Sequence, residues 1–319
     1  MKHIDKDNAI IGYKGFDKNL CCRNKQYEVG KGYHEDQVSI CSCGMHFVTD
    51  PLDLFACYPP SEGNRFCIIE AWGDVDSKKY NSKHCASDLF IVRELTLVEL
   101  AEEIVIYRDT HLKNDLKNTD DALLAYTTGR HSSASNISDR SSASNTGDGS
   151  SASNTGDYSS ASNRGFRSYV GNSGDYSSAS NGSGGSLACN TGNCSLACNT
   201  GYFSLASNIG NCSLACNTGY FSSASNIGDF SSAVNTGDDS LASSTGNRSS
   251  ACNTGEESVA AVFGQDSYAK GALGCWLVLT ERDDDWHIVG MKCVKVDGET
   301  IKADTLYQLK GGEVKECKE

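Results

Sequence analysis

Residues 132–270 repeat a nine-residue pattern of small and polar positions. Serine occupies the first position of all sixteen units, alanine the third in all but one, and glycine most often the seventh. The segment Ser-x-Ala-x-Asn alternates with a period of two, as the two faces of a β-strand require, and Asn-Thr-Gly is turn-forming. The pattern predicts a β-solenoid whose recurring serines and alanines face inward and whose x positions face outward. We expect the glycine to provide a positive φ in the turn.

The turn residues indicate how many units form one coil. In every second unit the residue after the glycine position is Asp, Asn or Gln, namely Asp139, Asp157, Asp175, Asn193, Asn211, Asp229, Asn247 and Gln265. The interleaved units carry a mixed set, namely Arg130, Asp148, Phe166, Gly184, Tyr202, Tyr220, Asp238 and Glu256. This alternation predicts an 18-residue coil with two strands and two unlike edges. Eight such coils would form a body ~38 Å long at ~4.8 Å per coil.

The flanking segments predict separate elements around this mainly β fold. Residues 1–115 read as an α+β domain, with a short helix opened by Asp50 and Pro51 and a capping box from Thr96 to Glu99. Residues 116–131 read as a helical connector, and residues 271–319 as a β-meander. Because the last coil of a solenoid exposes unpaired backbone, we expect the meander to act as a C-terminal cap.

Composition narrows the functional class. The net charge is −13 and no segment carries a basic excess, which disfavours direct binding to nucleic acid. An acidic nucleic-acid mimic stays an alternative. The start of the chain has no apolar run and no stretch is long enough to span a membrane, so we expect neither export nor a membrane partner. Sixteen cysteines in such a chain favour the reducing cytoplasm.

Both ends of the chain carry a family resemblance. Residues 12–20 (GYKGFDKNL), 27–30 (YEVG) and 44–47 (GMHF) resemble an uncharacterised N-terminal domain of phage and gut-bacterial proteins. Residues 269–276 (AKGALGCW) are similar to the C-terminal segment of proteins with related repeats. The resemblance implies a phage- or prophage-type accessory protein, located in the cytoplasm, including that of an infected host. It implies no chemistry.

The coils from 187 to 221 predict a partner-binding surface. Apolar residues enter the x positions and aromatic residues enter the turns there: Leu187, Leu196, Leu205, Leu214, Tyr202, Phe203, Tyr220 and Phe221. Aromatic residues at turn tips have no core to enter, and apolar patches mark interaction sites. We therefore expect a non-enzymatic scaffold that recognises, sequesters or inhibits a protein partner, or that self-assembles.

An enzyme centred on the N-terminal domain is the alternative. Residues 44–51 (GMHFVTDP) resemble the nicotinamide-facing segment of ADP-ribosyltransferase-like folds. The resemblance implies roles for Tyr13 in stacking, for His46 in that segment, and for Glu70 as the carboxylate that stabilises an oxocarbenium-like charge. Ile68 stands two residues before Glu70, where many transferases have Glu or Gln, so the resemblance extends to the fold more readily than to activity.

Two metal sites are further alternatives, although we predict neither a metal nor another cofactor. Cys41, Cys43 and His46 offer zinc-ligand types, but Cys-x-Cys is a poorer chelate than Cys-x₂-Cys. The column of Asp139, Asp157 and Asp175 places like charges ~5 Å apart, which calcium would relieve. Solvated turn residues are the simpler interpretation of that column, because asparagine replaces aspartate freely in it.

Overall fold

The computed structural model describes residues 2–60, 63–77, 82–115 and 124–317. The chain divides into two compact units at the boundary between Tyr107 and Arg108. As predicted, the fold is mainly β, with an N-terminal domain and a solenoid of 18 residues per coil.

The N-terminal domain is built on one six-stranded sheet. Its elements are β1 (Lys2–Ile4), a 3-10 helix (Lys6–Asn8), β2 (Ile10–Phe16), β3 (Cys21–Cys22), β4 (Lys25–Gln26), β5 (Gly32–His34), β6 (Met45–Val48), a 3-10 helix (Pro51–Ala56), β7 (Arg65–Ser77), β8 (Lys83–Leu95) and α1 (Leu97–Asp115). The strand order is β1-β7-β2-β6-β8-β5, and β7 also pairs with β8. Strands β7, β2, β6 and β8 therefore form a closed ring of pairings.

Large apolar side chains fill this domain. Alternate residues of β7 and β8 are buried, as expected for strands whose faces differ in environment. One buried cluster contains Phe16, Tyr27, Met45, Phe47, Ile69 and Leu89. The predicted helix starts are also present: the Asp50 side chain accepts the N–H of Leu52, and Thr96 and Glu99 form a reciprocal capping box. No described helix is both long and apolar enough to cross a membrane.

The solenoid strands lie in two sheets. The strands are β9 (Leu124–Thr127), β10 (Ser133–Asn136), β11 (Ser142–Asn145), β12 (Ser151–Asn154), β13 (Ser160–Asn163), β14 (Tyr169–Asn172), β15 (Ser178–Asn181), β16 (Leu187–Asn190), β17 (Leu196–Asn199), β18 (Leu205–Ile209), β19 (Leu214–Asn217), β20 (Ser223–Ile227), β21 (Ser232–Asn235), β22 (Leu241–Ser244), β23 (Ser250–Asn253), β24 (Val259–Val262), β25 (Tyr268–Gly271), β26 (Trp276–Arg282), β27 (Ile288–Lys295), β28 (Tyr307–Lys310) and β29 (Glu313–Glu316). The even sheet contains the even-numbered strands from β10 to β26, followed by β27, and the odd sheet contains the odd-numbered strands from β9 to β25, followed by β28 and β29.

Successive coils pair in parallel with equivalent residues opposite one another. Ala206 lies opposite Ala224 and Asn208 opposite Asn226, in each case 18 residues along the chain. The alanines of both sheets are buried in one continuous core. Their predicted inward orientation is confirmed.

The recurring serines and asparagines are buried too, and their side chains form hydrogen bonds between coils. Ser213 Oγ accepts the N–H of Ser195 at 3.2 Å and lies 3.3 Å from the carbonyl oxygen of Gly192. Asn235 Nδ2 donates to the carbonyl of Ser222 at 2.9 Å. These bonds offset the cost of burying polar groups. The inward serines were predicted, whereas the asparagines, interpreted as turn residues, belong to the interior.

The recurring glycine is required for a reason other than the one predicted. It does not adopt a positive φ, whereas the residue two positions later does, as at Phe203 (+53°) and Phe221 (+55°). A Cβ on Gly219 would lie 2.2 Å from the carbonyl oxygen of Gly201 in the preceding coil. Glycine therefore suits the close approach of neighbouring coils at this position, which serine occupies in two units, at Ser138 and Ser183.

The solenoid extends beyond the recognisable repeat. It makes about nine turns over residues 124–279, not eight over 132–270. β9 pairs with β11 and β26 pairs with β24, although neither β9 nor β26 carries the Ser-x-Ala-x-Asn sequence. Parallel pairing with the adjacent coil stabilises these strands without the repeat. The helical connector predicted for 116–131 is therefore wrong at residues 124–127, and residues 116–123 lie outside the described residues.

Antiparallel strands close the C-terminal end of the solenoid. β27 pairs with β26, and β28 pairs with β25 through Tyr307 and Ala269. Larger apolar residues join the alanine core here, namely Leu277, Leu279, Val296, Ile301, Tyr307 and Leu309. The two parallel sheets thus end in antiparallel pairs over a bulkier core, which is the arrangement expected of a cap.

Candidate functional site

The turns of the solenoid form two edges. We call the first edge the turn pairs 139–140, 157–158, 175–176, 193–194, 211–212, 229–230, 247–248 and 265–266. The second edge comprises the turn pairs 130–131, 148–149, 166–167, 184–185, 202–203, 220–221, 238–239 and 256–257. The second residue of every pair has a positive φ. Each edge therefore repeats one turn geometry at every coil, ~4.8 Å apart, and only the side chains differ.

A hydrogen-bonded ladder runs along the first edge. Asp139 Oδ1 accepts the N–H of Asp157 at 2.9 Å, and Asp157 Oδ1 accepts that of Asp175 at 2.8 Å. Asn193 Oδ1 accepts the N–H of Asn211 at 2.9 Å in the same way. Aspartate and asparagine both supply this oxygen, which explains why they interchange. The ladder accounts for the aspartate column without a calcium ion.

The second edge carries a cluster of exposed rings. Phe203 and Phe221 stack with centroids 5.1 Å apart and an interplanar angle of 10°. Tyr202 packs edge-on against Phe203 at 5.7 Å. Phe203 is 61% exposed and Phe221 55%, and Tyr202 and Tyr220 are exposed as well. The structure thus brings the four predicted aromatic residues together on one surface.

A groove of about 670 Å³ adjoins these rings on the same edge. Gly149, Gly184 and Gly185 line it, each beside a side chain from an adjacent coil, and the remaining lining residues are Arg130, His131, Asp148, Phe166, Arg167, Tyr202 and Phe203. Phe166 and Tyr202 meet edge-to-face at 5.9 Å, two coils apart. Tyr202 also leans over Gly184, where a Cβ would lie 3.0 Å from its ring. The groove combines aromatic faces with two guanidinium groups.

Sequence reasoning did not assign Arg130, His131, Phe166 or Arg167 to a site. The signal was present, because these residues occupy the same 18-residue column as Tyr202 and Phe203. Aromatic, basic, acidic and glycine residues alternate in this column, so no single residue type marks it.

The four leucines of the predicted binding surface are divided between the two sheets, and their exposure differs. Leu205 is 38% exposed on the even sheet, and Leu187 beside it is partly exposed. Leu196 and Leu214 on the odd sheet are both 0% exposed. Buried side chains cannot contact a partner, so Leu196 and Leu214 do not belong to the predicted binding surface. Identical repeat positions therefore have different environments on the two sheets.

The proposed transferase residues do not form one site. Tyr13 lies opposite Val48 of β6 and Ile68 of β7, and β2 is antiparallel to both strands. His46 therefore lies two positions beyond Tyr13 in one direction along the strands, and Glu70 lies two positions beyond it in the other direction. His46 and Glu70 are separated by ~13 Å along the strand direction alone.

Tyr13 is engaged within the domain. Its hydroxyl donates to Glu103 Oε2 at 2.8 Å, and burial raises its pKa. Tyr13 thereby joins β2 to α1 and presents no open ring face, since its side chain is buried.

The Cys41, Cys43 and His46 segment is likewise held by protein contacts. His46 Nε2 accepts the N–H of Cys41 at 2.9 Å, so this nitrogen is not available to a metal. Burial lowers the pKa of His46 to about 4. No cluster of three or more metal-ligand side chains occurs within the described residues.

Lys14 is a buried charged residue that the sequence pattern did not single out. It lines a pocket of about 260 Å³. Its Nζ donates to the carbonyl of His46 at 2.7 Å and lies 5.4 Å from the ring centroids of both Phe16 and Tyr27. Burial lowers the pKa of Lys14. The carbonyl and the two rings account for this lysine as a contact between β2 and β6.

Comparison with known proteins gives context for one part of the chain. Searches of curated proteins and of solved structures returned no match. Residues 10–103 match a family described as a domain of unknown function (DUF7666), so the N-terminal domain is similar to that family.

Proposed function

We propose that this chain is a non-enzymatic binding scaffold that recognises a protein partner through the second edge of its solenoid. The observation that carries the proposal is the exposed stack of Phe203 and Phe221 beside the groove. Aromatic and arginine side chains around a pocket are typical of the centres of protein interfaces.

The exposure of these rings supports a role other than folding. The positive φ of Phe203 and Phe221 recurs at the second residue of every turn pair, where residues of many types stand besides Gly149 and Gly185. The turn therefore does not require phenylalanine, and the two rings lie in solvent rather than in the core.

We place this role in the cytoplasm of a phage-infected bacterium, as an accessory that sequesters or inhibits a host or phage protein. The cysteine content suits a reducing compartment, and the sequence resemblance suits a phage context. The solenoid supplies rigidity, because each coil is bonded to its neighbours through backbone, serine and asparagine ladders.

A pair of double variants tests the surface. Phe203→Ala with Phe221→Ala removes the ring stack from the second edge. Tyr158→Ala with Tyr176→Ala is the matched control, because those rings stack at 4.9 Å at the equivalent turn position on the first edge. We expect both variants to fold, and only the second-edge variant to lose the proteins captured from bacterial lysate by the parent.

The measurements are thermal unfolding by circular dichroism and capture with quantitative mass spectrometry. Equal capture by the parent and the second-edge variant would reject this surface. Unfolding of the second-edge variant alone would show that its rings are structural.

A further inference from the structure

The charge along the second edge changes sign from one end to the other. Its N-terminal end carries Arg130, His131 and Arg167, and its C-terminal end carries Asp238, Asp239, Glu256 and Glu257. The exposed rings lie between the two ends. Asp148 is the one acidic residue at the basic end. Such a surface is complementary in charge to a copy of itself turned end to end.

Most of these charges have no partner inside the chain. Arg130, Arg167, Asp239, Glu256 and Glu257 make no side-chain hydrogen bond or ion pair with the described residues, and all five are exposed. Asp148 and Asp238 each use one oxygen to accept the N–H of the next coil. The five unpaired charges are therefore available to a partner.

The shape of the edge is also self-complementary. The groove spans the turn pairs from 130–131 to 202–203, and the rings of Phe203 and Phe221 are exposed at its C-terminal end. The rings of one copy can therefore face the groove of a second copy, while its own groove faces the rings of that copy.

One antiparallel register satisfies charge and shape together. A two-fold axis between the turn pairs 184–185 and 202–203 places 202–203 of one copy opposite 184–185 of the other. The same operation places 220–221 opposite 166–167, and 256–257 opposite 130–131. The rings then face the groove, Arg167 faces Phe221 as in a cation–π pair, and Glu256 and Glu257 face Arg130 and His131.

This register has one unfavourable contact. It places Asp238 and Asp239 opposite Asp148, which is a like-charge contact that opposes the attraction at the two ends and weakens the pair. The alternative axis between 202–203 and 220–221 places ring against ring and leaves Arg130 and His131 with no turn pair of the second edge opposite them. Pairing of the rings with the groove, and of the two charged ends with each other, therefore favours the first register.

We propose that the second edge is a self-association surface through which two copies of this chain pair antiparallel, with the rings of each copy against the groove of the other. The proposal rests on the proposed function, since it uses the same recognition surface and names a second copy as its partner. By two-fold symmetry every contact occurs twice.

The area of the second edge limits how strongly two copies can bind each other. A strip ~38 Å long and ~10 Å wide buries ~400 Å² per partner, about half the ~800 Å² of a standard interface. We therefore expect a weak dimer that forms at high protein concentration and dissociates as salt screens the end contacts.

Two charge-reversal variants of the full chain test the pairing. The acid-end variant carries Glu256→Lys and Glu257→Lys, and the base-end variant carries Arg130→Glu and His131→Glu. In either variant alone both end contacts become repulsive. In a mixed dimer of the two variants both end contacts are again opposite in charge. Arg140→Glu with Arg248→Glu on the first edge is the control.

Sedimentation velocity over a range of concentrations at low salt is the measurement, with a circular-dichroism melt for each variant. We expect the parent and the control to dimerise with the same dissociation constant. We expect each reversal variant alone to dimerise at least ~10-fold more weakly. The equimolar mixture should return to within ~3-fold of the parent.

Two results would overturn the proposal. One is a parent that stays monomeric at all concentrations up to ~1 mM, the range in which contacts this small associate. The other is a mixture that dimerises no better than its components although the parent dimerises, because the ends then do not meet. A monomeric parent that still captures another protein through Phe203 and Phe221 would reject self-association and leave the proposed function standing.

Discussion

The solenoid and the N-terminal domain fill their interiors in different ways. The N-terminal domain buries large side chains such as Phe16, Phe55 and Phe66. The solenoid core instead consists of alanine flanked by hydrogen-bonded serine and asparagine. The first interior depends on side-chain volume, which neighbours can adjust by repacking. The second depends on the spacing between backbones, and in the repeat a larger residue replaces the inward alanine at one position, Val170.

We therefore expect the largest loss of stability from a single methyl group added in the solenoid. Gly219→Ala would place a Cβ 2.2 Å from the backbone of Gly201, so we expect a loss of stability of ~3 kcal/mol, at the upper end of the usual cost of overpacking. Gly182→Ala is the control, because the nearest atom to its Cβ would be 3.8 Å away. Denaturant unfolding followed by circular dichroism measures both. Similar stabilities for the two variants would contradict the close-approach argument.

The next effect concerns the alanine core. Ala206 is fully buried between the two sheets. Ala206→Leu should destabilise the solenoid by ~1–3 kcal/mol through overpacking. Ser207→Asn at the adjacent outward position should change stability by less than ~0.5 kcal/mol. Thermal melts of the two variants provide the test. Equal melting temperatures would contradict the conclusion that the alanines face inward.

A pH effect should distinguish the N-terminal domain from the solenoid. Burial holds the pKa of His46 at about 4, below its usual value of 6.5. Between these values the unfolded chain binds a proton that the folded domain does not, so stability is lost as the pH falls from 6.5 towards 4. Protonation would also remove Nε2 as the acceptor for Cys41.

His46→Gln should remove this pH dependence, because an amide does not titrate and its oxygen can still accept the N–H of Cys41. Hydrogen exchange of β2 and β6 measures the effect, with parent and variant compared at the same pH. Exchange in the solenoid strands should not differ between the two proteins. A parent-like pH dependence in the variant would assign the effect to another group.

The smallest expected effect is at the first edge. Asp157→Asn keeps the Oδ1 that accepts the N–H of Asp175, so stability should change by less than ~0.5 kcal/mol, whereas Asp157→Ala should cost ~1 kcal/mol. Added calcium should leave the melting temperature of the parent unchanged. A calcium-induced rise that Asp157→Asn abolishes would replace the ladder with a metal site.

The candidate site was predictable only in part. The exposed aromatic pairs follow from the 18-residue period, since Tyr202 and Tyr220 occupy equivalent turn positions in successive coils. The burial of Leu196 and Leu214 does not follow, because the repeat assigns Leu187 and Leu205 the same position. The groove does not follow either, because residues of five successive turn pairs, from 130–131 to 202–203, line it together only in the folded solenoid.

By itself, the sequence determined the strands, the coil length, the inward alanines and the two unlike edges, because a strict period repeats the same local conformation in every coil. Only the tertiary structure decided the role of the recurring glycine, since the close approach of Gly219 to Gly201 joins residues 18 positions apart. It also decided the outer turns of the solenoid: β9 and β26 lack the repeat and are strands because a neighbouring coil offers backbone groups to pair with. In the aperiodic N-terminal domain the separation of His46 from Glu70 depends on strand register, which local sequence does not encode.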